Sequence, residues 1–331
     1  MRRLRGSLAR IGVLSAILPV AGCALLPPTP QTDALLAESA VQPRQWEDAH
    51  LPLVLQDPDY CGPAALAMSL GQIGISASQE DLGQKVFLPG RSGTLQTEML
   101  AGPRQFGVVS FELPRKLSDL LQEAAHGHTP IVLLNLGLTW APRWHYALVM
   151  GYNLDHREIT LRSGTDAHEV IPLKTFEYTW ARSNYWAMAI TRPGDLPQSV
   201  LPEQAEQAAL GFERVNPPQQ AMRVWASLAQ RWPDRLLPYL GWGNALTAMG
   251  HHDEAEQVFK QGTEHVESAV LWNNLAQARL AQKNLTGARE AAQTGLAMAQ
   301  AHEPRWTAAL QDTLHTIEQA SQPCTTPGSG C

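Results

Sequence analysis

Cys61 is the side chain of this 331-residue sequence best placed for covalent chemistry. It stands in Leu55-Gln56-Asp57-Pro58-Asp59-Tyr60-Cys61-Gly62-Pro63-Ala64-Ala65-Leu66, and the apolar run that follows has helical spacing. A thiol at the start of a helix faces unpaired backbone N–H groups and the positive end of the helix dipole, which together favour a thiolate. Pro63 suits the first helical turn, where its missing N–H costs nothing. Gly62 lets a substrate carbonyl approach the backbone closely. An amide near Cys61 could then donate to a developing oxyanion, and the carboxamide of Gln56, five residues upstream, is a candidate second donor.

A thiolate nucleophile needs a base that later protonates the leaving amine. The chain has 11 histidines. His251, His252, His265, His302 and His315 fall in a C-terminal region of different character. His126 and His128 lie in a Gly-containing turn, His156 sits at a hairpin tip, and His168 follows another turn. His145 differs, because it begins the apolar strand HYALVMGY beside Trp144, where an ionisable ring is costly unless paired. With a turn centred near Leu154 or Asp155, His145 faces residues 163–165 on the returning strand. Ser163 is there and Asp166 lies just beyond, and either could accept the imidazole N–H as the third member of a triad.

The elements that must position these groups are readable in outline. Helical spacing runs from Cys61 to a stop at Gly74, and Ser78 is a candidate N-cap for SQEDLGQKV. TLQTEMLAGPRQFG and KLSDLLQEAAHGH predict two further helices, closing near Gly107 and Gly127. TPIVLLNLG, HYALVMGY, REITLRSG, HEVIPL and NYWAMAITRP then predict five strands. Helices first and antiparallel strands later predict an α+β domain over residues 45–192, not a doubly wound parallel sheet.

The Gln56…Cys61-Gly62-Pro63-Ala64-Ala65-Leu66 segment followed by His145-Tyr146-Ala147-Leu148-Val149 resembles the papain-like peptidases of the bacteriocin-processing, double-glycine-cleaving family. The resemblance implies Cys61 as nucleophile, His145 as general base and acid, and Gln56 as oxyanion donor. Two positions depart from the family pattern. The glutamine lies five rather than six residues before the cysteine, and Ser163-Gly164 stands where the family has Asp-Pro. A serine stabilises an imidazolium less than a carboxylate would, so the orienting role falls to Ser163 or passes to Asp166. No transporter module accompanies the domain, so the leader-peptide substrate of the family is not carried over.

Residues 193–201, with PGDLPQ at their start, read as a linker, and the region 202–320 is rich in Ala, Gln, Leu and Glu. Ala221 and Trp225 recur as Ala255 and Phe259, then as Ala288 and Ala292, at steps of 34 and 33 residues. Trp272 follows Tyr239 by 33, and Gly250 and Lys283 occupy equivalent turns. The pattern resembles tetratricopeptide repeats: three helical hairpins, then a capping helix near Trp306–Ile317. The fold expected is therefore an α+β papain-like peptidase domain, with N-terminal helices and an antiparallel sheet, followed by an all-α repeat domain. A protein partner at the repeats and a peptide or protein substrate at the cysteine follow from that reading.

The N-terminus begins MRRLRGSLARIGVLSAILPVAGC. Arginines precede an apolar stretch too short to span a bilayer, which predicts a signal peptide over residues 1–22. Val20-Ala21-Gly22-Cys23 resembles the bacterial lipobox, which implies acylation of Cys23. Ala24, by resemblance to Gram-negative sorting, implies the outer membrane, with the chain facing the periplasm. Residues 23–44 then read as a tether and 321–331 as a polar tail, in which Cys324 and Cys331 could pair. The formal charge of −6 leaves no basic surplus for nucleic acid. No zinc-type spacing or Gly-rich phosphate loop occurs, so neither metal nor cofactor is expected, and His251-His252-Asp253 reads as a solvated loop. The 10 tryptophans read mainly as core. Two other functions compete with a peptidase: a non-enzymatic assembly lipoprotein that binds peptides on a degenerate fold, and a cell-wall amidase of the NlpC type.

Overall fold

The computed structural model describes residues 28–37, 41 and 43–322, so Cys23, Cys324 and Cys331 lie outside the described residues. The first unit runs α1 (Pro30–Ala37), β1 (Gln45–Glu47), α2 (Cys61–Gln72), α3 (Gln79–Val86), α4 (Gln96–Ala101), β2 (Val109–Glu112) and α5 (Leu117–Ala125). It continues through β3 (Ile131–Asn135), β4 (Trp144–Asn153), β5 (Glu158–Ser163), β6 (Asp166–Pro172), α6 (Leu173–Ala181) and β7 (Ala187–Thr191). The strands form one antiparallel sheet in the order β2-β7-β3-β4-β5-β6, and β1 pairs with the far end of β4.

Strand periodicity builds a core on each face of this sheet, because successive side chains point to opposite sides. Val132 and Leu134 of β3 join Ala147 and Val149 of β4 in a layer covered by α1, α5 and α6. Ile131 and Leu133 join Tyr146, Leu148 and Met150 in the opposite layer, covered by α2, α3 and α4. Each fully buried Leu or Val contributes about 1.5–3 kcal/mol to holding the layers together. Every residue of α2 from Gly62 to Leu70 is buried, which explains a sequence apolar on all sides. The helix stops before Gly74, whose φ of +75° suits glycine. Ser78 caps α3 by accepting the Asp81 amide at 3.0 Å.

Three features differ from the sequence reading. Helices and strands are not segregated along the chain: β2 falls between α4 and α5, and α6 falls between β6 and β7. Four residues of β2 are too few to show a period, and Phe176 and Trp180 of α6 carry an i, i+4 signal masked by the β-rich segments on either side. The stretch TLQTEMLAGPRQFG is also broken. Pro103 has no N–H to donate, and the helix tightens into a 3-10 turn over Gly102–Phe106. Within the stretch read as a tether, residues 30–37 form α1, docked on the domain. The buried Glu177 carboxylate accepts the Gln31 and Thr32 amides at 3.1 and 2.6 Å, satisfying the free N–H groups of that helix end, and Leu35 enters the core.

The second unit is all helical: α7 (Pro202–Glu213), α8 (Pro218–Arg231), α9 (Leu236–Ala248), α10 (His252–His265), α11 (Ala269–Ala281), α12 (Leu285–His302) and α13 (Thr307–Ser321). These are three hairpins and a capping helix. Ala221, Ala255 and Ala288 are buried at the close approaches. Trp225 of α8 covers the bare backbone of Gly241 in α9, and Phe259 of α10 covers Gly243. Gly250 and Lys283, in equivalent turns, share a left-handed backbone with φ of +78° and +62°.

The two units touch along the sheet edge. Val109 and Phe111 of β2 pack with Ala205, Ala208, Ala209 and Phe212 of α7. The connecting segment is pinned as well. His128 holds Glu123 at 2.8 Å and Asp195 at 3.3 Å, and Glu123 accepts the Ser199 amide.

Candidate active site

Cys61 is the first residue of α2 and is a free cysteine. Its sulfur faces the backbone N–H groups of Tyr146, Gly62 and Cys61 itself. The sulfur therefore meets β4 at the step from His145 to Tyr146. Burial nonetheless pushes the thiol pKa up, and those three donors do not reverse it. The amides at the helix terminus lower the thiol pKa, as the sequence reading expects, and burial outweighs them.

His145, the second residue of β4, is half-buried. Burial, with Arg143 adding repulsion, holds its imidazole below the usual histidine range. Its Nε2 lies 2.9 Å from the Ser163 hydroxyl. The register explains the meeting. Ala147 pairs with Ser163, so His145, two residues back on the same face of β4, reaches the serine diagonally. Ser163 is also where β5 ends, at a two-residue turn in which Gly164 has φ of +64°. Asp166, across that turn, accepts the His168 amide at 3.0 Å. Of the two candidates, Ser163 is the one on the ring.

Gln56 lies at the same corner. A Cβ placed on Gly164 would stand 3.7 Å from Gln56 Oε1 and 3.9 Å from His145 Cε1. The carboxamide thus sits on the His145 side of the site. Gly62 behaves differently from the sequence reading. A Cβ there would come within 2.8 Å of the Thr94 side chain, so a packed side chain uses the room it leaves.

A cleft of about 710 Å³ opens in front of Cys61. Its wall includes Asp59, Thr94, Trp144, Tyr146, Arg182 and Asn184. Tyr146 also donates its hydroxyl to the Thr94 carbonyl at 3.2 Å, tying β4 to the segment before α4. Three wall residues that are not glycine, Asp59, Ser92 and Asn184, have left-handed backbones, with φ of 63°, 48° and 57°. Strained backbone of this kind gathers where surrounding structure holds a ligand site in shape. Sequence reasoning missed Ser92, Thr94, Arg182 and Asn184. Their only local signal is the tolerance of Asn for a left-handed turn, and they join the site through contacts distant in sequence. Among the described residues, no group of three His, Cys, Asp or Glu side chains could hold a metal. His251 pairs with Glu254 at 3.0 Å.

Residues 39–188 match the model of the Peptidase_C39 like family. This segment, under half of the chain, is a C39-like domain. No curated protein matches the chain. Among solved structures, a C39-like peptidase from Bacillus anthracis is similar at 14% identity and a TM-score of 0.39, over 45% of this chain and 98% of that one. The peptidase domain of Streptococcus ComA, a bifunctional ABC transporter, is similar at 19% identity and a TM-score of 0.37, over 43% and 99%. The TPR2B domain of yeast Sti1, in its pHsp70 complex, is similar at 16% identity and a TM-score of 0.34, over 36% and 96%.

Proposed function

We propose that this C39-like domain is an active cysteine peptidase, anchored by lipid on Cys23 at the outer membrane and facing the periplasm, with the repeats recruiting its substrate or a partner protein. One observation carries the catalytic part. The Cys61 sulfur lies at the head of α2 on an open cleft, against the Tyr146 amide, and His145, the residue before Tyr146 in β4, is oriented by Ser163 at 2.9 Å. A raised thiol and a lowered imidazole make a neutral resting pair. His145 then takes the thiol proton as the sulfur adds to the substrate carbonyl carbon and the carbonyl electron pair moves to oxygen. Backbone amides at the head of α2 receive that oxyanion, with Gln56 as a second candidate donor. The C–N bond breaks, the leaving amine takes the proton from His145, and a thioester remains on Cys61. Water deprotonated by His145 releases the acid and restores the thiol.

The docking of α1 supports an orientation for the anchored protein. Five chain steps from Cys23 to Pro28 span at most about 18 Å. Helix α1 packs on the sheet face opposite α2, which puts the lipid anchor nearer the face that α2 does not cover.

The test is a thiol-directed probe on the full chain, with a peptide library assayed in parallel. Labelling at Cys61 that falls sharply in His145→Ala, together with cleavage abolished by Cys61→Ala, supports the peptidase. Unchanged labelling in His145→Ala and no cleavage reject it. A second reading, peptide binding without turnover, is favoured by one feature: a serine, not a carboxylate, faces His145. Peptide retained equally by the native chain and Cys61→Ala, with no product, identifies that case.

A further inference from the structure

The loop joining β3 to β4 is a short hairpin that carries large apolar side chains into solvent. Leu138 and Ala141 exchange backbone hydrogen bonds at 3.1 Å around the two-residue turn Thr139-Trp140, and the Leu136 amide donates to the Arg143 carbonyl at 2.9 Å. Trp140 is 82% exposed at the tip, with Leu136 and Leu138 at 48% and 52% on the arm leading to it. Away from this hairpin and the cleft beside it, exposed large apolar side chains among the described residues stand singly or in one pair. A lone exposed leucine means little, but a cluster on one protrusion marks a contact surface. The base of the hairpin is fixed. The buried Asn135 side-chain carbonyl accepts the Gly137 and Arg143 amides at 3.0 and 2.9 Å. Arg182, just after α6, donates to the Asn135 and Gly137 carbonyls at 3.1 and 2.6 Å. A Cβ on Gly137 would collide with the Ala141 carbonyl, so the two arms stay close. The tip thus stands on a rigid base, and little ordering entropy opposes its insertion into another phase.

Strand register places the start of the described chain at the same end of the sheet. Leu133 near the end of β3 donates to the Trp186 carbonyl at 3.3 Å, and Leu113, just past β2, donates to the Ala187 carbonyl at 2.9 Å, so β3 and β2 both finish where β7 begins. In the segment that follows β2, the Leu117 amide donates to Gln31 at 2.6 Å, and Gln31 donates to the Arg115 carbonyl at 3.1 Å. The first turn of α1 therefore lies at the hairpin's end of the sheet, with Cys23 only a few residues upstream. Among the described residues neither Arg143 nor Arg182, at the hairpin base, forms an ion pair. We propose that residues 136–143 form a second membrane contact, in which Trp140 and Leu138 enter the headgroup boundary of a bilayer and Arg143 meets anionic headgroups. The proposal rests on the lipid anchor read at Cys23, which holds this end of the sheet at the membrane. Indole favours that boundary, where its ring is buried and its N–H stays wet, and nearby basic charge adds attraction to anionic lipid. Trp144, which opens β4, also lines the Cys61 cleft, so the contact brings the cleft mouth beside the bilayer and favours membrane-borne substrates.

The test is photocrosslinking. The full chain, produced in a Gram-negative host, is reconstituted with vesicles of phosphatidylcholine and phosphatidylglycerol that carry a diazirine on the acyl chain, and lipid adducts are mapped by mass spectrometry. Adducts over residues 136–143 are expected, falling about tenfold or more in Trp140→Ser, the loss of one large apolar side chain from the lipid. Trp140 is exposed in the folded domain, so this variant keeps its unfolding temperature and its affinity for a short soluble peptide. No adducts over 136–143, or adducts undiminished in both Trp140→Ser and Leu138→Ser, overturn the proposal. Weakened binding of the soluble peptide in Trp140→Ser, with no lipid adducts in the native chain, also overturns it and assigns the hairpin to substrate. The mass of the peptide bearing Cys23 reads acylation separately. Hairpin adducts on a chain with Cys23 unmodified keep the membrane contact and reject the anchor, whereas an acylated chain without them rejects the contact alone.

Discussion

The Ser163 hydroxyl stands 2.9 Å from Nε2 of His145, at the place where an antiparallel register brings the end of β5 diagonally across from the start of β4. A neutral hydroxyl in that position fixes the ring without supplying a negative charge, so orientation and charge stabilisation can be separated by substitution.

Ser163→Ala removes the orienting contact and leaves the charge balance unchanged. A net hydrogen bond of about 1 kcal/mol predicts roughly a fivefold to tenfold loss in kcat/KM, seen mainly in kcat. Ser163→Asp adds the missing carboxylate. Its histidine titration, followed by NMR of the ring, should move upward, and thiol alkylation at Cys61 should accelerate at neutral pH.

The pH dependence has a definite sign. His145 accepts a proton only when neutral, and its pKa is depressed by burial and then Arg143. Activity should therefore persist below the pH at which an ordinary histidine protonates, and fall only as pH drops through that lowered value. Burial raises the Cys61 thiol, so its alkylation rate should climb with pH on the alkaline side instead of reaching a plateau in mild acid. A plateau in mild acid would reveal a resting ion pair and contradict this account.

The segment joining the two units should respond to pH through His128 and Glu123. Burial pushes the His128 pKa down, but Glu123 and Asp195 outweigh it and the net shift is upward. That stability is complete below the unfolded histidine value and is lost as pH rises through the folded one. Burial pushes Glu123 up, but hydrogen bonds from His128 and Ser199 outweigh it and the net shift is downward. Its share is complete above the unfolded carboxyl value and is lost as pH falls through the folded one. Unfolding temperature should thus peak in the window between the two and decline on either side, and His128→Ala should remove the alkaline decline.

In the repeats, Gly243→Ala would drive a Cβ into the ring of Phe259. Overpacking of this kind costs about 1–3 kcal/mol. Denaturant unfolding followed by the repeat tryptophans should show an earlier transition, and an unchanged midpoint would mean that α9 and α10 separate more easily than their packing implies.

The chain's own residue pattern marked out most of the chemistry. Cys61, Pro63 and the apolar run after them identified the head of a helix because capping and periodicity are local properties. The repeat spacing from Ala221 to Ala255 to Ala288 identified stacked hairpins for the same reason, and counting along one hairpin brought Ser163 within reach of His145. Local pattern could not set the protonation of Cys61 and His145, because that depends on how much water the packed layers exclude. Nor could it find Thr94 against Gly62 or Glu177 on α1. These pairs come from separate elements whose approach is governed by sheet order and by burial of apolar faces shared between distant segments, quantities that belong to the folded molecule and to no window of its sequence.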